Sequence, residues 1–291
     1  MPSRAVAYEF LFNKGMLDGG TVSNGENVTL SGLYVYPIKS CTGISLQRSG
    51  LTATGLLHDR RWMLVDETGE FTSQRAHPRM ALISTHLSEE YLTVGAPGMP
   101  DLEVPLRQEN NDLIDVEVWG DANKGAPVGE EADRWFREFL RFPCKLVCKP
   151  EDDPRLVDSL YAEAGDQVGF ADGFAFLLIS EASLEDLNGR LADPLPMNRF
   201  RPNFVVKGCG PYAEDGWDRL RVGNVPFRVA EACPRCAITT TDQETGERGK
   251  EPLRTLATYR KWGGEVFFGR NLIHDALGTV RVGDPIEPTP R

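Results

Sequence analysis

No stretch of this sequence approaches the ~20 consecutive apolar residues needed to span a bilayer, so no transmembrane segment is expected. The beginning, residues 1–28, has a short apolar cluster around Phe10–Phe12. Glu9, Lys14 and Asp18 interrupt it, and it lacks a cleavable signal pattern. Cysteine is sparse: six in 291 residues are too few for a disulfide scaffold. Without an export signal they read as free thiols or metal ligands in a reducing compartment. Positive charge is the third shortage. Lys and Arg number 32 against 43 Asp and Glu, a formal net charge of −11. That balance argues against general nucleic-acid binding, whose affinity rests on phosphate neutralisation. Nor is there an internal repeat at a fixed period. These absences leave an intracellular globular protein, most simply cytosolic, that meets small molecules or partners through local patches. Organelle targeting stays open.

Hydrophobic residues make up 41%, enough to bury a substantial core. Residues 30–37 alternate, with Leu33, Val35 and Pro37 on one side and Tyr34 and Tyr36 on the other, which predicts a strand. Further strands are predicted at 61–65, 80–87, 113–119 and 145–148. A helix is predicted from about Glu130 to Leu140, where Trp135, Phe136, Phe139 and Leu140 make one apolar stripe. The charged, proline-bearing run 149–155 is the best linker candidate. Beyond it a buried-type strand at 174–179 leads into a helix capped by Ser180 and running to about Leu191. Short strands are predicted at 204–207, 219–222, 226–230, 237–241 and 279–282, with another helix from Pro252 to Gly263-Gly264. Strands and helices do not alternate regularly, so a doubly wound parallel sheet is excluded in favour of an α+β class with two mixed domains.

Cys233-Pro234-Arg235-Cys236 admits several readings. Half a zinc site would need a second Cys-x-x-Cys or nearby histidines, which the chain lacks; Cys144 and Cys148 could complete a four-sulfur set only across the linker. A dithiol redox motif would normally open a helix, but the β-branched run 237–241 follows. A third reading is one working thiolate, favoured as the anion by Arg235 and suited to a soft or redox-active metal, beside one packing cysteine. Two buried cysteines that merely pack remain the plainest alternative. Three other clusters bear on the choice. Lys39 and Ser40 follow a strand, where backbone amides and a hydroxyl could hold a phosphate. His58-Asp59-Arg60-Arg61-Trp62 and Arg199-Phe200-Arg201-Pro202-Asn203 each set two arginines before a strand. Singly each is an ordinary solvated cation; together with Arg235 they are what an anionic cofactor would need.

These runs lie in a familiar order. Tyr36-Pro37-Ile38-Lys39-Ser40-Cys41, Asp59-Arg60-Arg61-Trp62, Ser180 to Asn188, Arg199 to Asn203, Cys233 to Cys236, Lys250 to Leu253, Phe268-Gly269 and Val282 to Asp284 resemble the MOSC-domain proteins. The likeness is to the mitochondrial amidoxime-reducing component family in particular, and it covers about residues 29–288. It implies a β-rich N-terminal MOSC-associated domain, barrel-like, at 29–149. A MOSC domain at 156–288 would follow, a distorted and mostly antiparallel β-barrel with flanking helices. It implies a molybdenum cofactor (molybdopterin) between the two, with Cys236 as the protein thiolate on the metal. Lys39, Ser40, Arg60, Arg201, Pro234 and Arg235 would hold the pterin and its phosphate, Pro234 standing where the family often has serine. Asp172 falls beside the metal pocket and could relay protons. Gly173 and Phe174 replace the polar pair of the animal enzymes, and Asn271 stands where some relatives carry an aromatic.

The chemistry implied is two-electron reduction of N-hydroxylated compounds such as amidoximes and hydroxylamines, and by extension nitrite. No iron–sulfur cysteine cluster, haem-attachment motif or Gly-x-Gly-x-x-Gly loop is present. Electrons are therefore expected from a small b-type cytochrome and its NADH-dependent reductase. The alternative is a cofactor-binding or sulfur-carrying module without reductase activity, as in cofactor sulfurases, whose large upstream pyridoxal-phosphate domain has no room in this chain.

Overall fold

The computed structural model describes residues 27–107 and 112–291. The loose lead-in expected at the start lies, through residue 26, outside the described residues. The largest sheet has nine strands. Its path is Ile286–Pro290, Trp217–Val222, Val225–Pro234, Glu265–His274, Phe176–Ser180, Phe204–Lys207, Thr29–Val35 and Ile44–Ser45, with Lys261–Trp262 added on Glu265–His274. One neighbouring pair is parallel, Phe176–Ser180 with Phe204–Lys207. The helix Glu181–Asn188 lies between those strands in the chain, as a parallel crossover requires. Ser180 caps that helix by accepting from the Ser183 amide.

The α+β class is borne out, but the large sheet is an open path rather than a closed barrel. One edge, Ile44–Ser45, is only two residues long. The other, Ile286–Pro290, carries Pro288 and Pro290, which have no backbone N–H to donate. A second, four-stranded antiparallel sheet joins Trp62–Val65, Lys145–Cys148, Asp121–Pro127 and Ile114–Val118. The helix Glu130–Leu140 spans the residues its stripe predicts, and buries Trp135, Phe136 and Phe139 against Trp62, Leu64 and Leu146. Cys144 and Cys148 are buried in that same apolar cluster. Among the described residues no three His, Cys, Asp or Glu side chains converge on a metal site, so no four-sulfur set forms. None of the described helices is long and apolar enough to cross a membrane.

Local propensity fails in four places. The strand expected over 80–87 is confined to Ser84–Leu87, because Pro78–Leu82 forms a 3-10 turn ahead of it. Residues 237–240 form a 3-10 turn, not a strand, because the Thr239 and Thr240 hydroxyls donate back to the carbonyls of Cys236 and Ala237. The helix after Pro252 is one turn, Leu253–Leu256. Gly263 and Gly264, at φ 57° and 89°, instead turn the chain between the paired strands Lys261–Trp262 and Glu265–His274. The charged run 149–155 is no free linker. Lys149 donates to the Asp153 carbonyl, and buried Arg155 donates to the carbonyls of Ala171 (2.6 Å) and Asp172 (3.0 Å).

Candidate cofactor site

The site begins at the turn after the first strand. The Lys39 amide donates to the Trp62 carbonyl, and Ser40 takes a left-handed φ of 68°, uncommon for a residue with a Cβ. Lys39 is thereby buried, with Nζ 2.7 Å from the Phe170 carbonyl and 2.5 Å from Asp172 Oδ1. Burial pushes its ammonium down to about 8, against the pull of Asp172. Asp172 lies at the rim with 52% of its side chain exposed, yet it receives Arg75 Nη2 at 2.9 Å as well. Crowding by protein works against its charge, but Lys39 and Arg75 outweigh that and hold the carboxyl well below the usual range.

Arg75 is the residue the sequence did not reveal. It pairs with Asp172 and interacts electrostatically with Cys236, and its Nη1 is buried without a hydrogen-bond partner among the described residues. Its loop is fastened from across the molecule: Arg248 donates to the carbonyls of Gln74 (2.5 Å) and Arg75 (3.0 Å), and Gln74 and Gln243 exchange side-chain hydrogen bonds. Nothing in the local pattern around Arg75 marks it, because its partners lie about 100 and 160 positions away in the chain.

Cys236 follows the strand Val225–Pro234 and stands at the start of the 3-10 turn Ala237–Thr240, half-buried and free. The thiol-activating role expected of Arg235 meets a different geometry. Its Nη1 lies 3.0 Å from Cys233 Sγ and its Nη2 donates to the Phe200 carbonyl at 2.6 Å. With both terminal nitrogens so engaged, Arg235 is held on Cys233 and the Phe200 carbonyl rather than on Cys236. Arg75 interacts electrostatically with Cys236. Pro234 is exposed at the strand end.

A second knot sits behind Lys39. Tyr36 carries two guanidiniums, Arg60 at 4.4 Å and Arg201 at 4.2 Å from its ring centroid. Arg60 is neutralised by Asp59 and also donates to Asn203 Oδ1 at 3.0 Å. Arg201 is different: it is 9% exposed, has a φ of 57°, and pairs with no carboxylate among the described residues. Burial pushes its guanidinium down to about 10. Phe170 joins the knots, donating its amide to the Arg60 carbonyl and accepting from Lys39. Asn271 stands apart on the strand Glu265–His274, where its Nδ2 is 3.4 Å from Glu231 Oε1. Glu231 is a neighbour that the sequence did not single out.

The donor set suits an anionic ligand bearing a soft metal. Lys39, Arg60, Arg75, Arg201 and Arg235 outnumber the carboxylates Asp59 and Asp172. A buried arginine with no counter-ion is costly unless an anion completes it. A free thiol against Arg75 suits a soft metal centre.

The chain matches the family model for the MOSC N-terminal beta barrel domain over residues 27–143 and that for the MOSC domain over residues 165–287. It is 40% identical to mitochondrial amidoxime-reducing component 1 of Mus musculus, over 89% of this chain and 81% of that protein. It is 37% identical to mitochondrial amidoxime reducing component 2 of Bos taurus, over 89% and 82%. It is 33% identical to the molybdenum cofactor sulfurase of Oryza sativa subsp. japonica, over 87% of this chain but 33% of that protein. Matched from strand Thr29–Val35 to its last strand, the chain belongs to the MOSC-domain family of the mitochondrial amidoxime-reducing components.

Proposed function

We propose that this protein is a molybdenum-cofactor enzyme that reduces N-hydroxylated compounds, with the Cys236 thiolate as the protein ligand of the metal. The observation that supports the reading is the cation cluster beside a free thiol, above all buried Arg201, which forms no ion pair with a carboxylate among the described residues. When bound, the molybdenum cofactor supplies the two-electron chemistry that removes oxygen from nitrogen. The chain's own residues bind and orient. Arg201, Arg60, Ser40 and Lys39 hold the pterin and its phosphate, pre-set by the Tyr36 ring and the Phe170 bridge. Arg235 supports this set through its contacts to Cys233 and the Phe200 carbonyl, and Pro234 contributes shape without an amide donor. Arg75 steadies the thiolate and Asp172 together.

Asp172, held as an anion by Lys39 and Arg75, is a weak proton acceptor near neutrality and serves mainly to hold the Lys39 ammonium in place. Lys39, poised at about 8 and 2.5 Å away, is the donor of the pair. Asn271, beside Glu231 on the neighbouring strand, is proposed as a further cofactor contact. Electrons arrive from a small b-type cytochrome and its NADH-dependent reductase. The alternative, a cofactor-carrying module without turnover, shares the same cation cluster and differs only in lacking reductase activity.

The test has two parts. Metal analysis should give about one molybdenum per chain; zinc alone would sink the reading. Benzamidoxime reduction with cytochrome and reductase should then be lost in Cys236→Ala by at least two orders of magnitude and largely kept in Cys233→Ala. Equal loss from both would contradict a single ligand. Metal binding without turnover would leave the carrier reading. Asp172→Asn with full metal content and unchanged turnover would remove its role.

A further inference from the structure

The Arg75 guanidinium has a neighbour that the cofactor reading does not use. Its carbon lies 4.5 Å from the ring centroid of Trp119. Trp119 occupies the tip of the hairpin formed by strands Ile114–Val118 and Asp121–Pro127. Val118 pairs with Asp121, so the turn is the two residues Trp119 and Gly120, both with positive φ (56° and 88°). That is the geometry of a type I′ turn, whose first position favours Asn, Asp or Gly. A bulky aromatic there is strained and therefore worth explaining.

Burial does not explain it, because Trp119 is 52% exposed. Among the described residues its aromatic partner is Phe71, at 4.9 Å and a 58° tilt, and Phe71 in turn lies 4.8 Å from the Lys39 ammonium. The two aromatics thus stand over the two cations that hold Asp172. Arg75 lies against the exposed indole and also interacts electrostatically with Cys236. The indole is a flat, open surface at the outer side of the site, held over it by a turn that would be easier to build with Asn.

We propose that Trp119 is a specificity-determining residue, an aromatic wall at the entrance to Cys236 that favours substrates whose N-oxygenated group is carried on a flat aromatic ring. The inference rests on the reductase reading for its substrate class, and on the hairpin geometry for its residue. Ring-on-indole contact adds to area burial, and small aliphatic groups forgo it. Arg75 holds one side of the indole, so its removal should also loosen the wall.

The experiment compares benzamidoxime with acetamidoxime on the holoenzyme of wild type, Trp119→Asn and Trp119→Phe. Asn suits the turn, so its variant removes the ring without adding backbone strain. Two readouts are taken: the affinity of the oxidised enzyme for each compound without electron donor, by calorimetry, and kcat/KM with the donor system. The wild type should bind benzamidoxime more tightly than acetamidoxime. That preference should fall about tenfold in Trp119→Asn and be mostly restored in Trp119→Phe, with the change in KM rather than kcat. If the wild type reduces neither compound yet shows the Trp119-dependent affinity difference, the reductase reading fails and the wall stands. If no preference exists, or it survives in Trp119→Asn, the proposal is overturned whatever the activity.

Discussion

Lys39 shows how burial and pairing compete at one residue. Its ammonium is almost wholly enclosed, and desolvation wins over Asp172 to bring it down to about 8 from the ordinary 10.5. Between those values the unfolded chain binds the proton that the folded chain has released, so stability from this group rises with pH there. Below pH 8 both states are protonated and the full cost of the buried charge is felt. In the cofactor-free protein, the urea-unfolding free energy of wild type relative to Lys39→Met should therefore rise between pH 8 and pH 10.5, by up to about 3 kcal/mol. A flat or falling difference would mean that Lys39 is not buried as a charge. Arg201 carries the same tension with no carboxylate ion-paired to it among the described residues, only the more distant charge of Asp59, so an anionic ligand gains from that position.

At the scale of elements, turns place the chemistry and strands supply the frame. Lys39 and Ser40 leave one strand, Arg60 enters another, and Cys236 follows a third, so the site gathers where strands end. Bulges sharpen this placement. The register of Val225–Pro234 against Glu265–His274 shifts between Val229 and Ala232 and again before Pro234, just ahead of Cys236. Gly43 serves the Tyr36 ring, because a Cβ at that position would lie 2.4 Å from Tyr36 Cε1. Gly43→Ala should push the ring from under Arg60 and Arg201, costing about 1–3 kcal/mol of stability. It should also lower molybdenum retention on dialysis, read by metal analysis against wild type. Full retention with wild-type stability would show that the Tyr36 platform is dispensable.

Across the whole molecule, the two expected domains share their frame. Thr29–Val35, from the first, pairs with Phe204–Lys207 of the second, and Thr279–Arg281 returns to pair with Arg48–Thr52. Arg248 fastens the Arg75 loop from the far half of the chain. Breaking either half would expose paired strand edges of the other, so the protein should unfold in one transition, with calorimetric and van't Hoff enthalpies equal. Two resolved transitions would mean that the shared strands contribute little coupling.

Sequence alone determined whatever depends on short-range pattern. The stripe of Glu130–Leu140, the Ser180 cap and the strand Phe204–Lys207 were legible because periodicity and capping act within a few residues. The cation clusters and the Arg235-Cys236 pair were legible as motifs, and the order of motifs gave the family. Tertiary structure decided which cation meets which anion. Arg235, adjacent to Cys236 in the chain, turns to Cys233, while Arg75, some 160 positions earlier, pairs with Asp172 and interacts electrostatically with Cys236. Side-chain direction in a strand is set by its pleat, and the approach of a distant loop by long-range pairing and packing. Neither is written in the spacing of the residues that meet. The same holds for Trp119, only the last residue of a predicted strand until the hairpin brings it over Arg75.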